Sequence, residues 1–298
     1  MSALGGRELA EILAVARAAA GEAGRLIRTG WRMPGTVHRK GPVDLVTEYD
    51  LRSEELIRGR LAREFPDHIV VGEESATGAS AAGAGDGAAG DGAAGNAGAR
   101  DGSAGLDDPR AEMVWYVDPI DGTTNFAHGH PFFAVSIGLC YRHQPVVGVV
   151  LAPAIGTEWC AARGLGATRD GVACRVSNTE TLVESLAATS FPYDKPAGEK
   201  SNFRQFEAFY RRTRGVRRCG AAALDFAMTA DGTYGFYWGY DLGPWDACAG
   251  ALLVEEAGGS VTDVLGGELR PPSGAVLATN GRMHAAALDL LAEVRALG

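Results

Sequence analysis

The alternation of apolar and polar positions along the chain predicts several amphipathic helices. Near the N-terminus, Leu9, Ile12, Leu13 and Ala16 recur at the spacing of one helical face, and charged residues interrupt the pattern every few positions. A second helical pattern stops at Pro66, because proline cannot continue a helix. The helices predicted in this way cover residues 1–30, 50–65, 202–214, 221–230, 247–257 and 283–297.

Short apolar runs bounded by turn residues predict strands between these helices. Such runs occupy residues 43–46, 68–72, 113–117 and 275–278. Between residues 133 and 176, apolar runs alternate with turn signals, which is typical of an antiparallel meander. Because helices and strands interleave along the whole chain, a layered α/β fold is expected rather than an all-helical or all-strand one.

The chain length and the glycine content add predictions about the number of domains and about one loop. A chain of 298 residues suits one large α/β domain or two intimately joined ones. It contains 42 glycines, and residues 76–105 alone hold 10 Gly and 12 Ala. No large apolar side chain there can offset the entropy of ordering the segment, so we expect a mobile surface loop. A phosphate-binding glycine loop is disfavoured, because no helix follows directly.

Charge and cysteine content exclude several classes of function. The formal net charge is −9, and without a basic stripe along the chain a nucleic-acid partner is disfavoured. No run of 18 apolar residues and no signal-peptide core occur, so neither a membrane span nor export is expected. Five cysteines without a Cys-x-x-Cys pair argue against zinc and a disulfide framework and favour the cytoplasm.

Five acidic residues follow predicted strands or open predicted helices: Asp50, Glu73, Asp118, Asp121 and Asp246. Carboxylates without neighbouring cysteine or clustered histidine are ligands for Mg²⁺ rather than Zn²⁺. Taken singly, each residue also has an ordinary interpretation, as a helix N-cap or as an exposed loop acid. The carboxylates flanking the proline at position 119 are expected to lie in a turn that presents both towards one point.

The segment that follows Asp121 suggests what such a metal site would bind. Gly122 allows close backbone approach, and Thr123 and Thr124 can open a helix whose free N–H groups bind an anion. A phosphate beside several carboxylates requires cations between them. A phosphorylated ligand held by metal ions is therefore predicted.

Four segments stand out, in this order along the chain: Asp44–Asp50, Gly72–Ser75, Asp118–Phe126 and Trp245–Gly259. Together they closely resemble the signature set of the inositol monophosphatase family. The resemblance implies a five-layered αβαβα phosphatase fold that uses two or three Mg²⁺ per active site to hydrolyse a small phosphate monoester. It also implies a homodimer that is sensitive to lithium. The whole chain, 1–298, would form one unit with an α+β part at 1–180, an α/β part at 181–298 and the insertion at 76–105.

The resemblance also assigns roles by motif position. One metal would be held by Glu73, Asp118 and the Ile120 carbonyl, and a second by Asp118, Asp121 and Asp246. A third, weaker metal would lie near Glu73, with Asp50 reaching it through water. Attack by water would depend on the catalytic residues Asp50, Thr123 and Glu73. Substrate would contact Gly122, Thr123, Thr124, Ala221, Asp241 and Asp246.

The substrate-facing elements depart from the family pattern. Ala221 stands where a hydroxyl residue is common, and the position of a substrate-binding glutamate falls on Trp238 or Gly239. Asp241 is the candidate to compensate. We expect hydrolysis of myo-inositol-1-phosphate or a related monoester, with histidinol phosphate or a sugar (bis)phosphate as the alternative. From another class, a protein-binding regulatory role with RNA-associated complexes stays open.

Overall fold

A computed structural model describes residues 4–33, 35, 37–39, 45–77, 112–192 and 201–297. The loop expected at residues 76–105 lies outside these ranges apart from its first two residues, Ala76 and Thr77. Among the helices described, none combines the length and the apolar character needed to cross a membrane.

The helices agree closely with the sequence expectation, with most ends shifted by one to three residues. The first begins at Gly6, and the last begins at His284. Their bounds are α1 Gly6–Gly30, α2 Glu48–Glu64, α3 Glu73–Ala76, α4 Thr123–Ala127, α5 Phe203–Arg212, α6 Ala222–Ala230, α7 Pro244–Glu256 and α8 His284–Ala296.

Seven strands form the larger sheet, in chain order β3 to β9. The first pair is parallel and all the others are antiparallel, which confirms the predicted meander. The strands are β3 Ile69–Gly72, β4 Met113–Asp121, β5 Ala134–Tyr141, β6 Gln144–Ala152, β7 Thr157–Ala162, β8 Gly166–Arg169 and β9 Val172–Ala173.

A smaller sheet of five strands has the order β11-β10-β12-β14-β13. In this sheet β10 is parallel to both of its neighbours, β11 and β12. Strand β14 is antiparallel to both of its neighbours, β12 and β13. Its strands are β10 Leu186–Thr189, β11 Gly215–Arg217, β12 Phe236–Leu242, β13 Ser260–Asp263 and β14 Gly274–Thr279. A separate antiparallel pair joins β1 Val37–Arg39 to β2 Leu45–Thr47.

Helices and sheets stack as five layers. The pair α1 and α2 covers one face of the larger sheet, and α6 and α7 lie between the two sheets. The outer face of the smaller sheet is covered by α5 and α8. The predicted αβαβα architecture is thereby confirmed. The division of the chain at residue 180 stays a prediction.

Two helix starts place acids in the first turn rather than at the N-cap. Thr47 caps α2, and its backbone N–H and hydroxyl both donate to Asp50, the third helical residue. Gly243 caps α7, and its N–H donates to Asp246, again the third residue. The alternative interpretation of these acids as N-caps is wrong. Both carboxylates instead compensate the partial positive charge of a helix start.

The segment from Asp118 to Asp121 is strand rather than the expected turn. β4 continues through it, and its register against β5 shifts between these two residues. Such a bulge turns side chains away from strict alternation, so that both carboxylates reach the same side. Pro119 is compatible with the bulge because no ladder N–H is needed there.

The face formed by α5 and β11 corrects the expectation that basic residues are not concentrated. Residues 204–218 contain six arginines and a single acid, Glu207, and all six arginines are exposed. Arg211 pairs with Glu207 within the helix, and Arg212 pairs with Glu293 of α8. This face is therefore locally positive although the chain is acidic overall.

Glycines bring the middle helices close to the larger sheet. A Cβ on Gly138 of β5 would lie 2.6 Å from Cys248 Sγ and 2.8 Å from the Ala249 backbone nitrogen. A Cβ on Gly148 of β6 would lie 2.8 Å from the Ala249 carbonyl oxygen. The absence of side chains at these two positions sets the depth at which α7 packs.

Substituting Gly138 by alanine should therefore destabilise the fold. We expect Gly138→Ala to lower the free energy of unfolding by about 1–3 kcal/mol, the usual cost of overpacking, as measured by urea denaturation. Gly59→Ala is the matched control, because Gly59 is an exposed position of α2 with open space around it. That control should be neutral or gain up to about 1 kcal/mol. A Gly138→Ala protein as stable as wild type would contradict the packing described.

Candidate active site

Three carboxylates converge at the junction of β4 and α7. Asp118, Asp121 and Asp246 each offer an oxygen, and these ligand atoms lie within 4.8 Å of one another. Two come from the bulge of β4 and the third from the first turn of α7. The structure thus brings together three of the five acids singled out from the sequence.

Backbone contacts hold the bulge residues in place. Asp118 Oδ1 accepts a hydrogen bond of 3.0 Å from the Ile120 N–H. The Ile120 carbonyl accepts one of 3.0 Å from Thr123 Oγ1. All three residues are buried, so the carbonyl and the carboxylate belong to one local arrangement.

Asp121 connects the cluster to the start of α6. Its two carboxylate oxygens accept hydrogen bonds from the Ala222 N–H, at 3.0 Å, and from the Ala223 N–H, at 2.7 Å. Helix starts carry unpaired N–H groups and a partial positive charge, so they stabilise a carboxylate there. Ala221, predicted to contact substrate, is the N-cap of this helix and is almost fully buried.

Asp50 lies next to the threonine with which it was paired in the sequence analysis. Its Oδ1 accepts a hydrogen bond of 3.0 Å from Thr123 Oγ1, and its Oδ2 accepts bonds of 2.8 and 2.6 Å from the Thr47 N–H and hydroxyl. Burial raises the pKa of Asp50 from 3.8 to about 6, although the bonds from Thr47 oppose the shift.

Glu73 is the first residue of α3, directly after β3, and is half-buried. Its negative charge adds to the raised pKa of Asp50, Asp121 and Asp246. Burial is the largest cause of the raised pKa of Asp121 and Asp246, and repulsion between the two adds to the shift of Asp246.

The donor set fits a hard divalent cation. Every candidate ligand is a carboxylate or carbonyl oxygen, the chemistry preferred by Mg²⁺. The cluster also concentrates more buried negative charge than neighbouring amides neutralise, which is the condition under which a cation stabilises a site. Asp118, Asp121 and Asp246 lie close enough together to hold such a cation.

On the substrate side, Gly122 has a left-handed backbone with φ of 90°. A Cβ there would meet the Gly220 carbonyl oxygen at 3.0 Å and the Phe132 carbonyl oxygen at 3.1 Å. Glycine is therefore required both by conformation and by space. Thr123 and Thr124 follow as the first residues of α4, with Thr124 half-buried.

Trp238 and Gly239, the two residues that align with the family's substrate-binding glutamate, face opposite sides of β12. Trp238 points to the outer core, where its ring packs at a tilt against Phe209 and its indole N–H donates a hydrogen bond of 2.7 Å to Asn202 Oδ1. Gly239 faces the opposite side, where a Cβ would lie 2.5 Å from Ser190 Oγ. No carboxylate therefore stands at this strand position. Asp241, exposed and with a left-handed φ of 59°, is close enough to raise the pKa of Asp246.

Several polar residues at the site were missed from the sequence. Asn125 Nδ2 donates to the carbonyls of Phe132 and Cys219, at 2.6 and 2.8 Å, and so ties the Asp118–Phe126 segment to the loop before α6. Ser53 and Glu54 lie buried on α2 beside Asp50. These two residues could have been found from the sequence, because they follow Asp50 by three and four residues and therefore share its helical face.

Comparison with known proteins agrees with this geometry. A profile described as the inositol monophosphatase family matches residues 8–296. The chain belongs to the inositol monophosphatase family. Inositol monophosphatase 2 of Solanum lycopersicum is 38% identical over 286 residues, which cover 95% of this chain and 98% of that protein.

Bacterial proteins are also among the relatives of this family member. Nus factor SuhB of Pseudomonas aeruginosa is 37% identical over 284 residues, which cover 94% of this chain and 95% of that protein. The solved structure of inositol monophosphatase from Anabaena superposes with a TM-score of 0.77 at 36% identity and covers 96% of each chain.

Family membership establishes the class of chemistry. The chain is a phosphoric monoester hydrolase of the inositol monophosphatase type. Enzymes of the family are metal-dependent and act on small phosphate substrates. The acidic cluster of this family member provides a set of ligands suited to that requirement.

The raised pKa of Asp50 predicts a pH dependence of stability in the metal-free protein. Between its unfolded pKa of 3.8 and its folded pKa of about 6, the folded state holds a proton that the unfolded chain has released. The free energy of unfolding should therefore fall as pH rises through this interval, on the order of 3 kcal/mol for this group.

Urea denaturation in a chelator at several pH values would measure this change. Asp50→Asn is the reference, because it removes the titrating group while other carboxyl groups stay the same. Relative to this variant, wild type should lose stability between pH 4 and 6. If the difference in unfolding free energy between wild type and Asp50→Asn stays constant with pH, or changes in the opposite direction, the environment of Asp50 is not the one described.

Proposed function

We propose that this protein hydrolyses myo-inositol-1-phosphate, or a closely related small phosphate monoester, to the alcohol and inorganic phosphate with Mg²⁺ as cofactor. The observation that carries the proposal is the convergence of Asp118, Asp121 and Asp246 beside the hydrogen-bonded pair of Asp50 and Thr123. When bound, two or three Mg²⁺ would supply charge neutralisation, orientation of the phosphate and activation of water.

The proposed ligand sets overlap at the bulge of β4. Glu73, Asp118 and the Ile120 carbonyl would hold one cation, and Asp118, Asp121 and Asp246 would hold a second. The amide groups that already bond to these carboxylates leave lone pairs for metal coordination, because each carboxylate can accept about four contacts. A third cation near Glu73 would be reached from Asp50 through water.

Asp50 and Thr123 are proposed to orient the attacking water and to take up its proton. Thr123 Oγ1 lies 3.0 Å from Asp50 Oδ1, so a proton accepted at the hydroxyl can pass to the carboxylate. The N–H and hydroxyl of Thr47 fix the other oxygen of Asp50. Water would then attack the phosphorus in line while the bond from phosphorus to the ester oxygen breaks, and the leaving oxygen would take a proton from solvent water to become the alcohol. No phosphoenzyme would form.

The phosphate and the leaving group are proposed to lie on opposite sides of the Gly122 turn. Backbone N–H groups of Gly122 and Thr123, with Thr124 beside them, would contact phosphate oxygens. The leaving group would lie against Ala221, Asp241 and Asp246. Because Gly239 offers no side chain, Asp241 supplies the carboxylate of this wall beyond the metal cluster. An exposed carboxylate also suits a cationic leaving group, which is why histidinol phosphate is the second candidate substrate.

Further properties of the family are proposed for this chain as well. We expect a homodimer that is inhibited by lithium. A reducing compartment, the cytoplasm, is supported by the five cysteines, all of which are free thiols. A regulatory role with RNA-associated complexes is the candidate from another class, and the similarity to Nus factor SuhB of Pseudomonas aeruginosa favours testing it.

The substrate is tested by measuring kcat/KM with Mg²⁺ on four compounds. These are myo-inositol-1-phosphate, histidinol phosphate, fructose 1,6-bisphosphate and adenosine 3′,5′-bisphosphate. The highest value is expected for myo-inositol-1-phosphate. A preference for histidinol phosphate would replace the proposed substrate, and inactivity on all four would refute the proposed function.

The ligand assignment is tested with Asp121→Asn. Loss of a metal carboxylate should lower kcat by about 10³-fold, equivalent to several kcal/mol of transition-state stabilisation. Asp289→Asn is the matched control, because Asp289 is an exposed residue of α8. Its kcat should equal that of wild type. A rate retained in folded Asp121→Asn protein would remove Asp121 from the ligand set.

A further inference from the structure

A buried carboxylate on α2, that of Glu54, contacts the start of α3. Glu54 is only 5% exposed and lies one turn after Asp50. Its Oε2 accepts a hydrogen bond of 2.8 Å from the Glu74 N–H, and its Oε1 accepts one of 3.1 Å from the Ser75 N–H. The carboxylate therefore occupies the N-terminus of α3, whose first residue is Glu73.

Helix α3 has no side-chain cap of its own. Its N-cap is Gly72, which carries no side chain that could accept the N–H groups of the first turn. A Cβ at Gly72 would overlap the Glu54 carboxylate. The glycine thus leaves the space into which Glu54 enters, and the missing cap is supplied from another helix.

An arginine balances the negative charge of Glu54, in addition to the N–H groups that bond to its carboxylate. Arg58, one turn further along α2, lies 3.6 Å from Glu54 Oε1 and also donates a hydrogen bond to Ser75 Oγ. The carboxylate consequently contacts two amides and one guanidinium. A buried carboxylate with these partners is geometrically constrained.

We propose that Glu54 is the positioning residue for Glu73, holding its carboxylate towards the cation site by fixing the first turn of α3. The same helix carries Asp50, so α2 sets the relative placement of two predicted site residues that are far apart in sequence. Ser53 supports this arrangement, because its hydroxyl donates a bond of 3.4 Å to the Pro119 carbonyl in the bulge of β4. The inference rests on the proposed function for its cation.

Calorimetric titration of the full chain with Mg²⁺ in the absence of substrate tests the proposal. Glu54→Gln removes the charge and replaces one acceptor by a donor, so the turn should lose its anchor. The Mg²⁺ dissociation constant should rise about tenfold, as is usual when a group that orients a metal ligand is altered. Glu55→Gln, an exposed change of the same type on the neighbouring position of α2, should leave it unchanged.

Two more readouts separate positioning from a general loss of structure. Amide exchange of Glu74 and Ser75 in metal-free protein should accelerate in Glu54→Gln while exchange in the core of β5 stays slow. The phosphatase rate of this variant should return to the wild-type value at saturating Mg²⁺. Wild-type Mg²⁺ affinity in folded Glu54→Gln, or a rate that Mg²⁺ does not restore, would overturn the proposal.

If Glu54→Gln does not fold, Glu54→Asp replaces it, because aspartate keeps the negative charge but its shorter side chain withdraws the carboxylate from the Glu74 and Ser75 N–H groups. Weaker Mg²⁺ binding is then expected, and unchanged binding would overturn the proposal. Wild-type protein that binds Mg²⁺ but hydrolyses none of the four phosphate esters would refute the proposed function alone. The calorimetric comparison would still decide the role of Glu54.

Discussion

Buried negative charge is the constraint on which the rest of this structure depends. Asp50, Asp118 and Asp121 are almost wholly removed from solvent and Asp246 is half-buried, and an isolated carboxylate in such a place is costly. Backbone N–H groups at the starts of helices and in a strand bulge donate hydrogen bonds to these carboxylates. These bonds offset part of the free-energy cost of burying the charges. The termini of α2, α6 and α7 are consequently arranged around the charges, and the proposed cations would complete the balance.

The position of the carboxylates also depends on how the middle helical layer packs against the two sheets. Helix α7 carries Asp246 at its first turn and contacts both sheets along its length. The small surfaces of Gly138 and Gly148 let its backbone approach the larger sheet. The site is therefore positioned by close contact between layers, and its geometry depends on residues that never approach the ligand.

Much of the fold was predictable, and the exceptions have physical reasons. The periodic helices and the antiparallel meander were recognised, whereas β10 and β12 were not. Both strands are covered by helices on two faces, so their side chains lack the alternation that marks a half-exposed strand. The candidate acids were found because their motifs are local in sequence. Glu54 and Asn125 were missed because their partners are backbone groups 20 and 94 residues away.

The bond between Asp121 and the N–H groups of Ala222 and Ala223 has a consequence for how such an enzyme can change its preference. In the proposed site, the helix that would form a wall of the leaving-group pocket begins on a carboxylate that is proposed to bind metal. Altering that wall by shifting α6 therefore also disturbs the cation centre. New substrates are more readily accommodated at the other wall, the β12 segment around Asp241, where the backbone bulges and the side chain is free of the cluster. Selectivity can then diversify there while the hydrolytic centre stays intact.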